Sequence, residues 1–153
     1  MIYTNKRNFL IKITALVSIL CTSSLSKIFA SWPKELFHSK NSDNLIKLLT
    51  DGADTIVTDS IIIKAPEIAE NGAVVPVSVN TKIENVKNIA ILVDNNPSPL
   101  TSTFEINPQL EAYVSTRVKM AKSSNIIALV TTNDNEFYTA SKSIKVTIGG
   151  CGG

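Results

Sequence analysis

The chain closes with Ile144-Lys145-Val146-Thr147-Ile148-Gly149-Gly150-Cys151-Gly152-Gly153, and the way this stretch divides decides the fold. Ile144, Val146 and Ile148 fall on every second position, with Lys145 and Thr147 between them. A period of two with β-branched residues predicts a strand that buries one face. Burial of three such side chains, at roughly 1.5–3 kcal/mol each, is the expected anchor of that strand. Immediately afterwards, two glycines on either side of Cys151 remove every Cβ, so the chain has no preferred conformation there. The stretch therefore predicts a rigid β-body ending at Ile148 and a flexible arm, Gly149, Gly150, Cys151, Gly152 and Gly153. Such an arm reaches at most about 17 Å when extended.

Working back from that strand, the sequence keeps its β character to about residue 55. Ile61 to Lys64 reads as a strand ended by Ala65-Pro66, and Ala73, Val75, Val77 and Val79 alternate with more polar positions. Pro76 lacks a donor, which predicts an edge or a bulge there. Ile89, Ile91 and Val93 form another inward row, and Asp94-Asn95-Asn96-Pro97-Ser98-Pro99 is a loop. Further strands are expected at about 101–106, 111–120, 125–132 and 136–148. Seven or so short strands predict a mainly β fold, an immunoglobulin-like antiparallel β-sandwich. Helix is confined to 33–50, as one or two short N-terminal helices: Pro33 opens the run, Ser42 or Asp43 caps a second turn, and Gly52 stops it.

The first thirty residues read as an export signal. Lys6, Arg7 and Lys12 lead the apolar run Ile13 to Leu20, and Ala30 suits the position before cleavage. The apolar run is too short to span a bilayer, so no stable membrane anchor is expected. Lys6-Arg7 resembles a twin-arginine pair with lysine in the first place, which leaves the twin-arginine and general routes both open. Cys21 leaves with the signal, because Leu20 before it is too bulky for a lipidation box. The expected organisation is signal 1–30, domain 31–148 and arm 149–153 of an exported protein. Loss of Lys6, Arg7, Lys12 and Lys27 takes the 15 Lys and Arg down to 11, against 13 Asp and Glu. A slightly acidic mature chain lacks the basic patch that nucleic-acid binding needs.

Chemistry concentrates in one residue. An exported chain with a single remaining cysteine points to a reactive thiol or an intermolecular bridge. No base is expected beside Cys151, as a cysteine hydrolase requires. One histidine, His38, and one mature cysteine make no metal-ligand cluster of recognised spacing. No catalytic residue, metal or dissociable cofactor is therefore expected. Arg117 and Lys119 share one face of a strand and are candidates for an anion, or simply a solvated face. Glu67, Glu70 and Glu84 read as surface charge. With no cation in the tail, the Cys151 thiol is expected to sit near the free cysteine pKa of about 8.5, quiet until a partner's site receives it. The edge near Val74 to Val79 is a candidate surface for a partner.

Several stretches together resemble the SoxY family, the sulfur-carrier subunits of the periplasmic Sox thiosulfate-oxidising system. They are the ending Lys145 to Gly153, then Ala65-Pro66-Glu67-Ile68-Ala69-Glu70-Asn71-Gly72-Ala73-Val74-Val75-Pro76-Val77, Asn96-Pro97-Ser98-Pro99-Leu100, and Thr116-Arg117-Val118-Lys119-Met120-Ala121. The resemblance implies that Cys151 carries covalently bound sulfur intermediates and that the flanking glycines let the arm enter narrow channels. It also implies a heterodimer with a SoxZ-like β-sandwich subunit. The enzymes it implies are a haem thiosulfate-conjugating enzyme, a sulfate-releasing hydrolase and a sulfur dehydrogenase. The chain itself would be a carrier and no enzyme. The alternative is an exported structural or adhesive β-sandwich whose tail cysteine forms an intermolecular disulfide.

Overall fold

In the computed structural model, Leu36 and residues 41–148 are described; the expected export signal, His38 and the arm 149–153 lie outside them. A helix α1 (Ser42–Leu49) precedes nine strands: β1 (Ile56–Val57), β2 (Ile61–Lys64), β3 (Ile68–Asn71), β4 (Val75–Thr81), β5 (Val86–Val93), β6 (Leu100–Glu105), β7 (Tyr113–Val118), β8 (Ser124–Thr132) and β9 (Phe137–Ile148). One sheet has the order β1-β9-β8-β5-β6, and the other is β2-β4-β7. The two pack face to face as the expected sandwich.

The cause is visible in the alternation. Val75, Val77 and Val79 of β4 are buried, as are Val114 and Val118 of β7, and they meet Ile89, Ile91, Val93, Ile126, Ala128, Val130 and Ile144 of the opposite sheet. β5 and β8 read as unbroken apolar runs because their second face is covered too. There Leu45 of α1 packs on Ala90, Leu92, Leu100 and Leu129, with Leu36, Ile46 and Leu49 at the margin. The described residues thus form three layers: helix, sheet, sheet.

Local details revise the expected helix ends. Asn41, one residue before Ser42, is the cap: its side-chain oxygen accepts from the Asp43 and Asn44 amides at 2.8 and 3.2 Å. At the far end Asp51 takes the left-handed turn (φ 51°), and Gly52 donates to the Lys47 carbonyl at 2.7 Å. Gly52 also has positive φ (82°), so two residues, not one, reverse the chain.

Two further differences concern the sheets. Pro76 lies in β4, the central strand of its sheet, but opposite Arg117 of β7 and beyond the end of β2, whose Lys64 pairs with Ser78. Its missing donor is tolerated because β4 has no second neighbour there. Ser78 and Val79 are paired on both sides, so the candidate open edge is limited to Val75–Val77. The strands β1 and β3, absent from the sequence-based expectation, both pair with β9 in parallel, on the side away from β8.

Candidate functional site

The arm's root is where β9 leaves the sheet. Ser124, the first residue of β8, pairs with Ile144, so β9 runs four residues beyond its antiparallel neighbour, from Lys145 to Ile148. Those four residues are not anchored by burial as the alternation predicted. Ile144 is 1% exposed and Val146 is half-buried, but Ile148 is 69% exposed. Only Ile144 contributes the full apolar term; the rest of the root is held by hydrogen bonds.

On one flank, β3 supplies them. Ile68, Ala69 and Asn71 pair with Lys145, Val146 and Ile148, and Lys145 donates to the Glu67 carbonyl at 2.9 Å. The Thr147 hydroxyl donates to the Glu70 carbonyl at 2.8 Å. Gly72 then closes the end: its amide donates to the Ile148 carbonyl at 2.7 Å, and its own carbonyl accepts from Met120 at 2.7 Å. One buried glycine therefore ties the last residue of β9 to Met120, two residues past the end of β7.

On the other flank stands the loop between β7 and β8. The Val146 amide donates to the Ser123 hydroxyl at 2.9 Å. This loop is braced by the β5–β6 loop: Asn96 donates to the Lys119 carbonyl at 2.7 Å and accepts from the Ala121 amide at 3.0 Å. Asn95 donates through its backbone to Ser124 Oγ at 2.9 Å and through its side chain to the Ser123 carbonyl at 3.3 Å. The loop that the sequence marks as a turn thus supports the arm's root.

The other candidates are dispersed. Arg117 ends up on the exposed face of the second sheet; Lys119 lies just past β7 and is also exposed. Glu67, Glu70 and Glu84 are exposed. Across that second sheet Tyr113 donates to Ser78 at 3.4 Å, and the Ser78 and Ser115 hydroxyls hold its phenol below the ordinary tyrosine value. Tyr138 donates to Glu136 at 2.8 Å, and this bond raises its pKa. Among the described residues no three His, Cys, Asp or Glu side chains come together as a metal site.

The sequence profile of Sulfur oxidation protein SoxY matches residues 46–151, from α1 through the root and onto Cys151. The chain belongs to the SoxY family. The structure of the sulfur carrier protein SoxY from Chlorobium limicola f thiosulfatophilum is 40% identical to this SoxY chain, with a TM-score of 0.63 over 71% of this chain and 97% of that one. A superoxide reductase (neelaredoxin) from Ignicoccus hospitalis shares 19% identity and a TM-score of 0.54 over 60% of this chain and 94% of its own. At that identity the likeness shows a shared fold alone, so the sandwich is common to both and the SoxY features lie elsewhere. A search of curated proteins gave no match.

Proposed function

We propose that this chain is a covalent sulfur carrier of a periplasmic thiosulfate-oxidising system, with Cys151 as the attachment point. The observation that carries this reading is the family match ending on Cys151, at a site where β9 is clamped up to Ile148. A firm root followed by Gly149-Gly150-Cys151-Gly152-Gly153 is the arrangement a tethered substrate needs. Tethering raises the effective concentration of cargo into the millimolar range for a short linker once the carrier has docked.

The chemistry is divided between carrier and partners. A haem enzyme takes two electrons as the Cys151 thiol and thiosulfate join, giving Cys–S–S–SO₃⁻ and one proton. A hydrolase then adds water across the S–SO₃ bond, leaving Cys–S–SH and releasing hydrogensulfate. A sulfur dehydrogenase oxidises the remaining sulfane. The carrier supplies the thiol and the arm, while an export signal (1–30) and a SoxZ-like subunit deliver and complete it.

Intact-mass spectrometry without reductant, on protein from its own host growing on thiosulfate, tests this. Sulfur adducts mapping to Cys151 and vanishing with reductant are expected. A bare thiol, or only a disulfide dimer, in active extracts would overturn the reading in favour of a structural module.

A further inference from the structure

The last four residues of β9 form, with β3, a parallel ribbon of two strands projecting past the end of β8. A two-stranded ribbon of this size is not stable by itself in water. Its only buried side chain on β3 is Ala69. On the flank facing β8, the backbone partner that β8 no longer provides at Val146 is replaced by a side chain. The Ser123 hydroxyl accepts from the Val146 amide at 2.9 Å and lies 3.5 Å from the Val146 carbonyl, to which it donates. One hydroxyl satisfies both groups that a continuing strand would have paired.

We propose that Ser123 is a positioning residue that sets the length of the carrier arm. With Ser123 bonded, β9 is held on both flanks up to its last residues, Val146 to Ile148. Without it only the β3 flank and Gly72 hold Lys145 to Ile148, and β9 opens back towards Ile144, the last residue held by β8, several times more often. The arm then runs from Lys145 to Gly153, and its maximum extension grows from about 17 to about 31 Å. Effective concentration falls as roughly the three-halves power of linker length, so in the opened form delivery to a fixed pocket is about two- to threefold less effective. A short arm favours docked delivery, and the hydroxyl keeps it short. The purpose assigned here rests on the carrier reading, but the arm's length does not.

The test uses the full chain with Cys21→Ser, carrying a nitroxide on Cys151, alone and combined with Ser123→Ala or Ser123→Thr. Amide exchange is followed on the same proteins. In Ser123→Ala the Val146 amide is expected to exchange roughly three- to tenfold faster, the loss of one net hydrogen bond. Ile89 and Ile126 in the core should be unchanged, which separates fraying from general unfolding. The zone of amides broadened by the nitroxide should extend outward in Ser123→Ala, and Ser123→Thr, which keeps the hydroxyl, should restore the original zone. An unchanged Val146 exchange rate overturns the proposal. So does an unchanged broadening zone, because Ser123 would then stabilise the loop without governing reach. None of these readouts depends on finding sulfur on Cys151, so this proposal and the carrier reading fail separately.

Discussion

The amide of Gly72 donates to the carbonyl of Ile148 across 2.7 Å, joining the turn after β3 to the last residue before the arm. Because Gly72 also accepts from Met120, this single residue joins the end of β9 to the segment just after β7.

Replacing Gly72 with proline deletes that donor. The expected cost is about 1–3 kcal/mol in urea unfolding, and amides from Lys145 to Ile148 should lose protection before the core does. Uniform loss of protection across the sandwich would show that Gly72 serves the core and not the root.

Cys151→Ser should abolish sulfur loading while leaving stability within about 0.5 kcal/mol, since the change lies beyond the packed strands. Thermal denaturation beside a loading assay with thiosulfate and the partner enzymes checks both halves. Loss of folding would contradict the tethered-arm reading.

Gly150→Trp and Gly152→Trp should slow turnover by the partner enzymes with no change in melting temperature. On the carrier function proposed above, the added bulk beside Cys151 acts sterically and not through packing. A stability loss of several kcal/mol would mean instead that the tail is packed against the body.

Asn96→Ala removes the bonds to Lys119 and Ala121. A loss of about 1–2 kcal/mol is expected, with faster exchange through residues 119–123. If the exchange change is absent there, the β5–β6 loop does not brace the root.

The two tyrosines of the sheets should ionise in a fixed order. Tyr113, lowered by Ser78 and Ser115, titrates before Tyr138, raised by Glu136. The Tyr138 contribution to stability is present below pH 10 and lost as pH rises through its raised folded value. The Tyr113 contribution has the opposite sign, growing as pH rises from its lowered value towards 10. Alkaline absorbance titration of Tyr113→Phe and Tyr138→Phe reads the order directly; the reverse order would refute the assignment.

β4 was legible because period two survives in it, with Val75, Val77 and Val79 buried, while β5 and β8, covered on both faces, were legible as branched apolar runs. β3 was not: Ile68-Ala69-Glu70-Asn71 buries only Ala69, and its parallel partner is more than seventy residues away. β1 has just two residues, both exposed, so nothing in its composition marks it. Cys151 was conspicuous in the sequence, whereas its support was silent. Ser123 looks like any loop serine until the offset between β8 and β9 places it beside Val146. The alternation at Ile148 misled for a related reason, since a strand can keep its period after its covering layer has ended.

β9 is twelve residues long and meets β8 from its first residue to Ile144, β1 near its start and β3 at its end. At about 3.3 Å per residue it extends roughly 40 Å. A pull on Ile148 along this axis loads the ladders together in shear instead of opening them one rung at a time like a zipper. On the carrier function proposed above, a load on Cys151 is thus shared along the whole strand and not borne by Ile148 alone.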